Sequence, residues 1–152
     1  QKVTQKNLRM KELIFARWTQ VMVRFERAMY ENPDQDLNAL WWQLVQRYQH
    51  VTPPENRNEP DWAAKIHLAQ VPVYYHNYQL GELTASQLQH TLRTAVLKTT
   101  EPTPSYYNKP EVGRYLRERV FAPGASLRWD ELLRSATGES LTAKYFAEEF
   151  IQ

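Results

Sequence analysis

Apolar residues recur along this chain at helical rather than strand spacing. Between Leu13 and Tyr30 they fall at Trp18, Met22, Phe25 and Met29, one stripe with charged residues opposite, which predicts an amphipathic helix. Asn32-Pro33-Asp34 ends it, because proline cannot continue a helix and Asn and Asp favour turns. Asp36 is placed to cap a second helix carrying Leu37, Leu40, Trp41, Leu44, Val45 and Tyr48. After Pro72 a third helix is expected to run to about Leu97, with Leu80, Leu83, Leu88, Leu92 and Val96 roughly on one face. Asn108, with Glu111 three residues later, has the form of a capping box. It would start a helix through Val112, Tyr115, Leu116 and Val120 that Pro123-Gly124 stops. Leu127 to about Ala136 predicts another, closed by Gly138. Thr142 would cap the last, with Tyr145, Phe146 and Phe150 inward. No strand alternation, internal repeat or low-complexity tract interrupts this order. The expected class is all-α.

Two segments break the periodicity. Residues 52–72 hold Pro53, Pro54, Pro60 and Pro72 interleaved with Glu55, Arg57, Glu59 and Asp61. They predict a long ordered or semi-ordered loop, and loops of about 20 residues in compact domains are usually functional. Residues 99–107, with Pro102 and Pro104, read as a linker.

Composition narrows the possibilities. With 42% apolar and 12% aromatic residues the chain is globular rather than disordered, and 152 residues suit one helical domain over 1–152. A net charge of +2 without a Lys/Arg stripe argues against nucleic acid, whose binding rests on neutralised phosphates. No apolar run approaches the roughly 20 residues needed to span a bilayer. With no cysteine, disulfides, thiolate metal sites and thiol nucleophiles are excluded, and the redox compartment is left open.

The chemistry is concentrated in Lys65-Ile66-His67 and Pro72-Val73-Tyr74-Tyr75-His76-Asn77-Tyr78. Tyr75 and Tyr78, three apart on a helix beginning near Pro72, share a face, while Tyr74 points elsewhere. Phenols aimed at one spot can donate to a peptide carbonyl or to the oxyanion formed when it is attacked. Periodicity alone favours the plainer alternative, two core tyrosines with satisfied hydroxyls. Lys65 and His67 are two apart and would project the same way from extended chain. A lysine suits a terminal carboxylate as a point charge, and an imidazole can donate to a carbonyl. Each taken singly reads as an ordinary surface or turn residue; together they make four convergent donors beside a loop. A metal site does not emerge. His50, His67, His76 and His90 include no pair three or four apart, so the His-Glu-x-x-His arrangement of a helical metalloprotease is missing. No serine sits in a Gly-x-Ser-x-Gly elbow, and the acids are scattered.

Beyond these residues, Trp41-Trp42-Gln43-Leu44, Tyr48-Gln49, Pro53-Pro54, Arg57, Asp61, Val71-Pro72, Gln87, Gly113, Phe121, Trp129, Thr137-Gly138 and Tyr145-Phe146 complete an ordered set. From Leu37 to Phe150 this set resembles the C-terminal part of the angiotensin-converting-enzyme family, peptidase family M2. Lys-x-His followed by Tyr-x-x-Tyr is the motif on which the resemblance rests. It implies the C-terminal subdomain of a gluzincin-type helical metallopeptidase that removes dipeptides from peptide C-termini. It also implies zinc in the full-length parent, with the ligands upstream of Gln1 and none in this chain, so that this chain alone is expected to be inactive. Carried over by position, Lys65 would pair with the substrate's C-terminal carboxylate and Tyr75 would add a hydrogen bond. His67 would donate to a carbonyl near the scissile bond, and Tyr78 would stabilise the oxyanion. Between His67 and Tyr75 the chain carries one residue more than the family, which makes Tyr74 an alternative to Tyr75.

The departures from the family have consequences of their own. Asn77 and Val45 stand where the animal enzymes have chloride-binding arginines, so chloride activation is not expected. Glu82 replaces an apolar pocket residue, which shifts side-chain preference towards basic or polar residues. The expected partners are a peptide substrate, the N-terminal part of the parent peptidase, and a second copy through a cleft wall including Trp41, Trp42, Trp62, Tyr75 and Tyr78. Two rivals stand beside this reading. One is a helical interaction module without chemistry. The other is an oligopeptidase-type zinc peptidase, which also sets paired tyrosines after a histidine.

Overall fold

The computed structural model describes residues 2–151. Among them every regular element is helical, as the periodicity predicts. The chain forms two compact units, residues 1–80 and 81–152.

In the first unit, α1 (Lys2–Glu31) is longer than the stripe predicts. Residues 3–11 are rich in the strong helix formers Lys, Gln, Leu, Arg and Met, but Val3, Leu8 and Met10 are exposed, so no buried stripe marks that stretch. Asp36 caps α2 (Leu37–Gln49) as expected, its carboxylate accepting the Ala39 N–H at 2.9 Å. α1 packs on α2 through Val21, Met22, Phe25, Trp41 and Val45, all buried. The Phe25 ring stands edge-on to Trp41 at 5.2 Å between centroids, and Trp18 does so at 5.7 Å.

The Pro-rich segment is an ordered connection with short helical turns inside it. A 3₁₀ turn spans Asp61–Ala64 and α3 spans Ile66–Ala69. The turn is pinned twice. The Arg57 guanidinium donates to both Asp61 oxygens, at 2.8 Å from Nε to Oδ2, and holds that carboxyl below its ordinary range. The Trp62 indole donates to Asn38 on α2 at 3.0 Å and lays its ring 5.5 Å from Phe25. Leu68 and Tyr75 close the core from this side.

The helix after Pro72 starts later than expected. α4 is His76–Thr91 and continues into a π-helical turn, Leu92–Val96. Residues 72–75 instead form a turn in which Val73 is left-handed, φ 55°. The Tyr74 and Tyr75 carbonyls accept the Asn77 and Tyr78 N–H groups at 3.0 and 3.3 Å, which launches the helix.

In the second unit α5 (Pro110–Leu116) runs into a π turn, Arg117–Phe121. Here the expected capping box does not form. Asn108 is left-handed, φ 54°, and Lys109 takes the cap position without a side-chain bond, because Pro110 at the first helical position lacks an N–H and disfavours a helical residue before it. α6 (Trp129–Thr137) ends on Gly138 at φ 87°, the left-handed closure predicted. Thr142 is not the cap expected of it: Ala143 takes that position of α7 (Lys144–Phe150) without a side-chain bond, and Thr142 Oγ1, one residue further out, accepts the Lys144 N–H at 3.2 Å. α7 buries Tyr145, Phe146 and Phe150. Gln87, fully buried, holds the α6–α7 connection. Its amide donates to Thr137 Oγ1 at 2.9 Å and to the carbonyls of Glu139 and Ser140, and it accepts the Thr142 N–H at 3.1 Å.

Candidate functional site

The Lys-His-Tyr constellation lies wholly in the first unit. His67 on α3 is the centre: its Nε2 is 3.0 Å from the Tyr78 hydroxyl on the first turn of α4. The imidazole stands edge-on to Tyr75 at 4.9 Å and to Tyr78 at 5.5 Å. Tyr75 and Tyr78 lie 5.1 Å apart, as their three-residue spacing predicts. Phe15, from α1, touches both rings.

Tyr74 does not point elsewhere. Its ring stacks near-parallel on His67, 15° between planes, and meets Tyr78 at 5.7 Å. The turn at Val73 brings it in, where a helix from Pro72 would have carried it away. The three phenols differ in access. Tyr74 and Tyr78 are 43% and 39% exposed, whereas Tyr75 is 9% exposed. Burial pushes the Tyr75 phenol above its ordinary value, so it stays protonated.

Lys65 and His67 do not project together. Lys65 is extended, φ −85° and ψ 111°, but His67 is already in the turn of α3, so the two-residue period is broken. The Lys65 ammonium lies over the rings of Trp18 and Trp41, 5.4 and 5.9 Å from their centroids, while His67 turns to the tyrosines. The expected cleft wall is correspondingly smaller. Trp41 (3% exposed) and Tyr75 are core, Trp42 and Trp62 are half-buried, and Tyr78 alone of the five is exposed. α1 supplies the cover, because its Phe25 and Trp18 pack on Trp41.

The residues present do not fit a zinc site. Among the described residues no group of three or more His, Asp or Glu could hold a metal ion. Three of the four histidines have other engagements. Arg17 lies 2.9 Å from His50 Nε2, Tyr78 meets His67, and His90 rests on Tyr145 at 4.0 Å in the second unit. No helix of the described residues is long and apolar enough to cross a membrane.

Phe15, Trp18 and Glu26, all on α1, complete the site without a site signal in the sequence, although Trp18 and Glu26 leave a trace there. Trp18 is on the apolar stripe, and Glu26 is a carboxylate directly after Phe25 and four residues after Met22.

The sequence comparisons place this all-helical chain in the class of metallopeptidases. It belongs to the carboxypeptidase Taq (M32) metallopeptidase family, whose model matches residues 19–152. Among curated proteins it is 33% identical to the angiotensin-converting enzyme-like protein Ace3 of Mus musculus, over 74% of this chain and 16% of that one. It is 30% identical to angiotensin-converting enzyme of Mus musculus and 29% identical to that of Rattus norvegicus, in each case over 78% of this chain and 9% of the relative. The chain thus spans less than a fifth of the length of these relatives. No solved structure matches it significantly.

Proposed function

We propose that this chain is the substrate-holding part of a zinc peptidase that cleaves near the C-terminus of peptides. Its partners in that role are a peptide substrate and the remainder of the peptidase, which would carry the zinc ligands. The observation that carries the reading is the His67–Tyr78 contact at 3.0 Å within a cluster whose Tyr74 and Tyr78 are open to solvent. Lys65 would take the substrate's terminal carboxylate and His67 a backbone carbonyl. Tyr78 would donate to the oxyanion. Of the two phenols that could share the carboxylate role with Lys65, burial of Tyr75 favours Tyr74 as the one that meets substrate. These residues bind and orient a peptide; an activated nucleophile for hydrolysis would come from the remainder of the peptidase.

The carboxylate role has a direct test. A short peptide with a free C-terminal acid should bind at least about tenfold more tightly than its C-terminal amide, as one charge-assisted hydrogen bond implies. Lys65→Met should abolish that preference. Calorimetric titration reads both, and an acid/amide ratio unchanged by Lys65→Met would remove Lys65 from the role.

A second reading, a helical interaction module without chemistry, is favoured by one observation. Ile66 (54% exposed), Val71 and Val73 stand open beside Tyr74. That face would take a second copy or the rest of the peptidase. Sedimentation at micromolar concentration separates the readings: a monomer with peptide affinity supports the first, a dimer without it the second.

A further inference from the structure

We infer that Glu26 is a positioning residue for the tyrosine cluster, acting through the turn at Val73; this rests on the reading of Tyr74 and Tyr78 as peptide donors. Glu26 is on α1, 6% exposed, and its Oε1 accepts the Val73 N–H. A carboxylate is costly to bury unless donors compensate it, and bonds to the charged form are the stronger kind. The donor in question belongs to an unusual residue. Among the described residues five non-glycine positions have positive φ, and Val73 is the β-branched one of these. The others, His50, Asn56, Lys98 and Asn108, are polar. For a β-branched side chain the left-handed region brings steric conflict, so surrounding structure must hold it there.

The position of the strain decides what it does. Pro72 has a fixed φ and no N–H to donate. Tyr74 and Tyr75 follow, and their carbonyls already launch α4. Val73 is therefore the joint that sets the direction in which Tyr74, Tyr75 and Tyr78 enter. Glu26 holds that joint from the α1 side. A cavity of about 340 Å³ beside it, lined by Val23, Arg27, Tyr30 and His76, leaves the turn room to relax if the hold is lost.

The test uses the whole chain carrying E26Q or E26A, each alone and combined with V73G. Glycine adopts the left-handed conformation without steric conflict, so it should keep the turn in place without the carboxylate. NMR follows the Val73 amide and the ring signals of His67, Tyr74 and Tyr78, and a titration measures affinity for a short free-acid peptide. E26A is expected to shift those rings and weaken peptide binding about tenfold, leaving Tyr145 and Phe146 in place. E26Q, which keeps an acceptor oxygen, should lose less, and it carries the test if E26A does not fold. V73G should recover most of either loss. Rings that stay put in both single variants, or losses that V73G leaves unrepaired, would overturn the assignment. If the unsubstituted chain binds no peptide, the donor reading fails, and the ring shifts alone still decide whether Glu26 sets the turn.

Discussion

Replacing Tyr78 by phenylalanine in the intact peptidase is expected to lower kcat by about 10²–10³-fold, the usual loss for one oxyanion donor, with KM changed only a few-fold. The reasoning starts from the charge of the ground state. A substrate carbonyl carries a partial charge, so a phenol aimed at it adds little to binding. The tetrahedral oxyanion carries a full one, and the same hydrogen bond is then strong and charge-assisted. Tyr78 is 39% exposed and its hydroxyl already sits 3.0 Å from His67 Nε2, so phenylalanine removes an oxygen without disturbing a buried ring. Tyr74→Phe is the matched comparison, because Tyr74 is as exposed and lies in the same ring cluster. Its loss should show in KM. A Tyr78→Phe enzyme with unaltered kcat would sink the oxyanion role.

Phe25→Ala is expected to destabilise the first unit by about 3–5 kcal/mol, the usual cost of emptying a buried aromatic site. Phe25 is fully buried between α1 and α2 and touches both Trp41 and Trp62. For a unit of this size the transition temperature should fall by roughly 15 °C or more, followed by far-UV circular dichroism. The near-UV signal of the tryptophans should fall with it, because Trp41 loses one of its two edge-on partners. A fall of only a degree or two would mean that the core is centred elsewhere. The substitution also bears on the site: Trp41 lies under Lys65, so a loosened Trp41 should weaken discrimination between peptide acid and amide even at temperatures where the unit stays folded.

The sequence made the helices and their stops legible because those are local matters. Asp36 and Gly138 act on groups within a few residues of themselves, and each does in space what its position implies. The first ten residues of α1 were not legible, since exposed helix leaves no stripe. Asn108 misled because a capping pattern competes with the proline two residues on, and the proline wins. In the site, the Tyr75–Tyr78 pair could be read from spacing. The inward swing of Tyr74 could not, because it depends on a left-handed valine for which no local pattern argues. Nor could the parting of Lys65 from His67, which follows from tryptophans 47 and 24 residues upstream of Lys65 in the chain.

The way Lys65 is held has a consequence for what it can hold in turn. Immobilising a lysine with a carboxylate would spend its charge, and an incoming anion would meet a neutralised pair. Among the described residues no ion pair engages Lys65, and the neighbouring Asp61 is occupied by Arg57. The two indoles restrain the ammonium through their ring quadrupoles, which carry no net charge. The cation is held in place without a contact ion pair, so it can turn to a ligand's carboxylate without first breaking a salt bridge.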